Sequence, residues 1–586
     1  MINRKTILTL LFAVAFLFSA GAQSVQMYLP DDALAVIGLD LKNLDDKVDF
    51  EQISKLDMIN TGLEAAEMMS VMSGGPSPRD IMVNPDKYGL DLISKSYLTV
   101  KMNELGQPVM GFLMGLTDAA KFERFIKNIV KLPTEKKGSL QWVDMDEMGL
   151  AWNEDVLLFA YGSPGASAYQ DFPAEEEQPK ASGAMGKFMK SMLSNPQGKL
   201  IGNPSFQLHN TKSQDLSAWV DYSTFMELTQ AQSMEQMAQG MGEGGDMFAR
   251  LMVNMLKDLY SDSYWSMGVN MNSGSIDFNS GMQMSPELYE YTQNAMDTRI
   301  NKHFGKYIKQ DGLLGYYAFG LNVENTVTGM EDVLMPKLSA MPMVGGWAQS
   351  ALDLLSIALD EEALYHLLEG DMMFAVTGLE EYTVTEIQYD EEFNPYEGTK
   401  SQVLPVFNAM LSFGDEGNIR KLLRLGENAS VLSRQNDNVF KIAIPGEEMP
   451  MDIYLAITRD ILMITSDADL VNNHLEKGYS GSTRLGKDHR KKLKKNLQAM
   501  HMDFDKIMDA VMELSPEMQD NPEAASFVKG FQNTFQSLEL SAPRAIGNPY
   551  TANLSLTFDD KNRNSLEQLL NYFNEIFLAS GMNLSM

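Results

Sequence analysis

The chain has 586 residues, no cysteine, 44 methionines and a formal net charge of −32. Without a thiol there is no disulfide, no zinc–thiolate site and no cysteine nucleophile. A field of that sign repels nucleic acid and anionic lipid, and 44% apolar residues suit packed domains rather than general disorder.

In chain order, Arg4 and Lys5 precede an apolar run over 6–20, and Ala20-Gly21-Ala22 follows with small residues. This layout predicts a secretory signal over 1–22, cleaved near Ala22. The expected address is periplasmic or extracellular. No cysteine follows the run to carry a lipid, and no later stretch is long and apolar enough for a transmembrane span.

Beyond the signal, five pairs of segments match in the same order. Residues 34–44 (LAVIGLDLKNL) match 316–326 (YYAFGLNVENT), aligning Gly38 with Gly320. Residues 109–129 match 407–425, aligning Asp118 with Asp415, each between a strand and an amphipathic helix. Residues 151–160 match 456–465, with Asp155 on Asp460 between two strand-like runs. Residues 217–227 match 499–509, with Asp221 on Asp503 and Trp219 on His501. Two late strand-rich segments, 264–284 and 538–558, are each followed by a helical run, at 286–296 and 565–577. Alternating segments such as 275–284 (SIDFNSGMQM) predict sheets with one covered face.

The expected fold is therefore α+β: two tandem diverged copies of one unit, each a mostly antiparallel sheet with helices packed on one face. The first repeat is placed at 23–300, a polar linker at 301–311 and the second repeat at 312–586. Residues 73–79, 163–182 and 240–245 read as loops or breaks from their Gly, Pro and Ser content.

The segment 28–44 (YLPDDALAVIGLDLKNL) resembles the opening of a family of exported Bacteroidota proteins, domain of unknown function 4836. The strand–Asp–helix phrases at 111–129 and 410–425 are similar to that family too. Its members often carry a lipidated cysteine after the signal, from which this chain departs. The resemblance implies no catalytic residues.

Chemistry in the sequence is sparse. An Asp before a helix caps it, and an Asp between strands supports a turn, so Asp118, Asp415, Asp155, Asp460, Asp221 and Asp503 all suit structural roles. The alternative is carboxylates converging for acid–base work. His209, His303, His366, His474, His489 and His501 form no metal-binding motif. Residues 478–482 (GYSGS) lack the last Gly of a nucleophile elbow, and no phosphate loop or dinucleotide fingerprint is present. Met234, Met237 and Met241 fall on one helical stripe, which suits core filling or an adaptable groove better than Cu(I) binding. The run 487–495 (KDHRKKLKK) is a basic island, read as a solvated helix face or a dock for an acidic patch.

No residue is assigned as catalytic, cofactor-binding or metal-ligating. The expected function is that of a non-catalytic cell-envelope protein. It would bind or scaffold a protein, peptide or hydrophobic ligand through a cleft between its repeats. A hydrolase whose carboxylates converge only in the fold, and a Met-based soft-metal or hydrophobic-ligand carrier, are the alternatives.

Overall fold

The structure is a computed structural model. It describes residues 23–579 except 49, 54, 74–75, 93, 103–107, 131–133, 146–147, 163–183, 195–198, 211–212, 227–252, 255, 330–331, 333–366, 368, 390–393, 444–450 and 516–520. Two compact units are present. The described residues within Met1–Ser233, Tyr260–Gln283 and Asp560–Met586 form the first, and those within Met234–Leu259 and Met284–Asp559 form the second.

The first unit contains β1 (Ala35–Leu39), β2 (Leu90–Asp91), β3 (Ser96–Met102), β4 (Pro108–Leu116), β5 (Glu135–Lys137), β6 (Leu140–Met145), β7 (Met148–Trp152), β8 (Val156–Gly162), β9 (Leu216–Asp221), β10 (Tyr264–Asn272) and β11 (Ser275–Gln283). They pair antiparallel in the order 5-6-7-8-4-3-1-9-10-11, with β2 beside the end of β4.

The second unit contains β12 (Gly315–Phe319), β13 (Met372–Tyr389), β14 (Pro395–Ser412), β15 (Leu432–Asn436), β16 (Val439–Ile442), β17 (Tyr454–Thr458), β18 (Ile461–Thr465), β19 (Asn496–Asp503), β20 (Phe535–Pro543) and β21 (Tyr550–Phe558). Its antiparallel order is 15-16-17-18-14-13-12-19-20-21. Place for place, this is the order of the first unit.

Backbone bonds fix the matching residues. Leu34 N–H donates to Val100 O at 2.8 Å and Leu314 N–H to Val376 O at 2.9 Å; Asp221 N–H donates to Leu34 O at 2.9 Å and Asp503 N–H to Leu314 O at 2.8 Å. Leu314 therefore occupies the place of Leu34, and Asp503 that of Asp221. The expected match of Gly38 with Gly320 is two positions out: Ala318 stands where Gly38 does, and Gly320 takes the place of Asp40. Aligning on the two glycines caused the slip. The true match is carried by strand periodicity, since β1 and β12 bury alternate residues in the same pattern.

Helices pack on both faces of the sheet, not on one. In the first unit, Val109, Leu113, Leu158 and Ala160 face Met185, Phe188, Met189 and Met192 of helix Ala184–Leu193. Phe112, Met114, Leu157 and Phe159 face the other way, toward Ile81, Phe122 and Ile126. The second unit repeats this: Met410 and Met463 lie in one cluster, while Phe413 and Ile457 lie in another with Ile419 and Leu423 of helix Glu416–Asn428. The signal was present in β7 and β8, whose near-continuous apolar runs MGLAW and VLLFA leave little polar surface for solvent. Gly149 admits one covering helix closely, because a Cβ there would lie 2.5 Å from Met189 Cε.

The stretch 301–311, expected as a linker, places Phe304, Tyr307 and Ile308 fully inside the second core. Tyr307 is the counterpart of Tyr28. Tyr28 Oη accepts from Asn153 Nδ2 at 2.8 Å, and Tyr307 Oη lies 3.1 Å from Thr458 Oγ1. The closing helices group across the expected boundaries. Helix Pro286–Ala295 belongs to the second unit, where Ala295 O accepts from Asn322 N–H at 2.7 Å. Helix Ser565–Ala579 belongs to the first unit, where Asn574 Oδ1 accepts from Met58 N–H at 2.8 Å. Within 73–79, Ser77 caps helix Pro78–Val83, so Pro78 and Arg79 are helical. Residues 163–182 and 240–245 lie outside the described residues.

Candidate functional site

The three Asp pairs serve the backbone. Asp118 Oδ1 accepts from Ala120 and Lys121 N–H, each at 2.9 Å, at the start of helix Ala119–Val130. The Lys121 amide holds its carboxyl below the usual range. Asp415 Oδ1 accepts from Gly417 N–H at 2.7 Å. Asp503 caps helix Phe504–Leu514 through Lys506 N–H, and Asp221 accepts from Thr224 N–H at 3.1 Å. Asp155 and Asp460 act through their carbonyls, which accept from Leu116 N–H at 2.8 Å and Phe413 N–H at 3.0 Å. These bonds tie each β-hairpin turn to the end of β4 or β14.

The histidines fall in several places. His209 packs against Phe206. His474 lies 3.6 Å from Asp469, with its ring on Tyr479. His366 lies outside the described residues. His489 and His501 meet ring to ring at 4.5 Å. His489 Nδ1 is 3.3 Å from Tyr316 Oη, and His501 Nδ1 is 3.4 Å from Glu539 Oε1. Glu539 also pairs with Lys492. Contact with His501 and Lys492 holds its carboxyl at about 2, while burial, and then the neighbouring His501, push His489 down to about 4. His501 does occupy the place of Trp219: Val36 pairs with Trp219 and Tyr316 with His501. The sequence pairs His501 with Trp219 but gives no sign of its polar neighbours, which come from distant segments.

A second polar network surrounds Asn301. Its N–H donates to Asp371 Oδ2 at 2.6 Å, and its Nδ2 donates to Ser412 Oγ at 2.8 Å and Asp460 Oδ2 at 2.9 Å. Burial pushes the Asp371 carboxyl up to about 6. His303 Nδ1 and Asp460 Oδ1 are buried beside this network without a hydrogen-bond partner. Among the described residues, no group of three or more His, Asp or Glu is placed to hold a metal ion.

Several of the described methionines fill core. Met185, Met189 and Met192 form a buried stripe along one helix. Met68, by contrast, is exposed, and Met234, Met237 and Met241 lie outside the described residues. The basic run forms helix Lys487–Lys495, with Leu493 buried and Lys492 paired to Glu539. Ser480, in the near-elbow, is exposed, while neighbouring Tyr479 is buried and donates to Asp467 Oδ2 at 2.9 Å.

Residues 26–259 match the family model described as Domain of unknown function (DUF4836). The DUF4836 match opens just ahead of Tyr28 and runs through β9. No curated protein matches the chain. Two solved structures, of crystal forms III and I of TP0453, are similar at 8% and 9% identity. Each comparison covers 48% of this chain and 89% of that chain, with a TM-score of 0.22; a likeness of that size carries no argument. Among the described residues, no helix is long and apolar enough to cross a membrane.

Proposed function

We propose that this is an exported, non-catalytic protein of the cell envelope, built from two diverged copies of one α+β unit. It acts by binding or scaffolding a protein, peptide or hydrophobic ligand. The shared strand order and the matched bonds of Leu34 with Leu314 and Asp221 with Asp503 support the duplication. The basic, apolar and small-residue layout of 1–22 supports export.

The observation that carries the binding reading is the use made of the paired Asp residues. Each caps a helix or anchors a hairpin turn, so the duplicated acids hold the scaffold together. The test is to immobilise the chain from Gln23 onward, recover partners from envelope extract by mass spectrometry, and assay a substrate panel in parallel. A partner retained by the wild type and by Asp118→Asn/Asp415→Asn supports binding. Turnover that is abolished by Asp460→Asn, with no partner recovered, overturns it.

A further inference from the structure

The second unit carries a group of cations that the proposed function does not use. Lys302 and Lys306 lie on the turn around helix Phe304–Lys306, Arg459 at the tip of the β17–β18 hairpin, and Arg484 and Arg490 around the start of helix Lys487–Lys495. Gly305 brings three of these segments together. Its carbonyl accepts from Arg484 Nε at 3.3 Å, and a Cβ on it would lie 3.2 Å from Arg490 Cγ. Lys306 O accepts from Tyr479 N–H at 2.8 Å, fixing the turn to the loop ahead of Arg484.

None of the five side chains is ion-paired among the described residues, in a chain whose net charge is −32. Burial and the charges of Arg459, Arg484 and Lys302 press the Lys306 ammonium below its usual range. Asp460 is the nearby acid, and His303 Nδ1 is the buried polar atom without a partner. Arg459 is also held at φ 57, a conformation that disfavours a side chain. The first unit lacks this group: Glu154 stands where Arg459 does, and Met27 where Lys306 does.

We propose that Lys302, Lys306, Arg459, Arg484 and Arg490 form a binding site for a phosphoryl anion. Crowded cations without an ion-pair partner suit a ligand that concentrates charge and several acceptor oxygens on one centre. An acidic protein face offers single carboxylates spread apart, which fits five neighbouring cations less well. The site lies within one unit and does not rest on the binding role proposed above.

The test uses the chain from Gln23 onward. Inorganic phosphate is titrated calorimetrically, and phosphatidylcholine vesicles with and without phosphatidic acid are assayed by flotation. Binding of free phosphate marks a soluble source, and binding only of phosphatidic acid vesicles marks a lipid headgroup. Either supports the site if it weakens by about tenfold or more in Lys306→Gln/Arg484→Gln. Arg459→Gly is the variant protected against misfolding, since glycine suits the left-handed position. It should keep or raise thermal stability while losing affinity. Lys400→Gln, on the exposed β13–β14 hairpin, should bind as the wild type does. The proposal is overturned by no saturable binding of either probe, or by equal weakening in Lys400→Gln. Salt-sensitive self-association as the sole response would also overturn it.

Discussion

The turn Asn153–Val156 of the first unit and the turn Thr458–Ile461 of the second perform one backbone task with different chemistry. Each offers an Asp carbonyl to the end of the neighbouring strand and a polar side chain to a buried tyrosine. Yet the exposed residue just before that Asp is Glu154 in one and Arg459 in the other. The rows across the sheets differ in the same way: Val36, Trp219 and Ser266 in the first unit stand where Tyr316, His501 and Glu539 stand in the second. Backbone bonds persist because a slip of one residue turns every side chain to the wrong face. Side chains differ where each set finds partners of its own.

The largest effect should come from removing 560–586. The helix Ser565–Ala579 packs on helix Asp57–Ser73 and on β10 and β11 of the first unit, although it follows the last strand of the second. Deletion should cost more than about 4 kcal/mol and raise hydrogen exchange in β1, β3, β9 and β10, leaving β12 and β19 protected. Faster exchange confined to the second unit would break the assignment.

Next in size are positions where the units made opposite choices. Asp215 is fully buried, accepts from Lys47 Nζ at 2.7 Å and from Asn43 Nδ2 and Met271 N–H, and its counterpart in the second unit is Leu497. Asp215→Ala strands Lys47 and should cost about 3–5 kcal/mol in chemical denaturation. Trp219→Ala should cost a similar amount, about 3–5 kcal/mol, because its ring packs on Phe206 and Tyr264 and its indole donates to Ser205 Oγ at 3.0 Å. His501→Ala, at the matching place, should cost less. Equal losses would show that the two rows pack alike after all. Smaller again is Asp415→Ala, at about 1 kcal/mol for a lost helix cap, read from the thermal midpoint.

Two groups of the second unit should pull against each other in acid. His489 is held below its usual 6.5, at about 4, so folding favours the neutral ring. Its stabilising contribution is present above pH 6.5 and is lost as the pH falls toward 4. Asp371 acts with the opposite sign: raised from 3.8 to about 6, it contributes most at low pH and loses that contribution as the pH rises through 6. Asp371→Asn should therefore steepen the acid loss of stability, and His489→Phe should flatten it. Exchange in the first unit should follow neither change.

Much of this was legible in the sequence where an Asp sits at a fixed structural joint. Asp118 with Asp415, Asp155 with Asp460 and Asp221 with Asp503 align as their backbone bonds require. The glycine match failed because Gly38 and Gly320 have different neighbours: Gly38 lies between Tyr97 and Ser217, while Gly320 N–H donates to Leu497 O. The false linker failed because Lys302, His303, Lys306 and Lys309 outweigh Phe304, Tyr307 and Ile308 by composition. The repeated spacing of Val25, Tyr28, Leu29 and Asp32 in Phe304, Tyr307, Ile308 and Asp311 would have revealed it. Which unit receives a terminal helix is a matter of tertiary packing, and local sequence carries no mark of it. The basic run was visible at 487–495, but Lys302, Lys306 and Arg459 reach it only through the fold.

Paired cysteines placed in this thiol-free chain test the shared register directly. Ile37 faces Ala218 in the first unit, and Tyr317 faces Met500 in the second. The account predicts that Ile37→Cys/Ala218→Cys and Tyr317→Cys/Met500→Cys both oxidise readily to disulfides, while Phe319→Cys/Met500→Cys does not. Oxidation of the Phe319 pair in preference to the Tyr317 pair would contradict it.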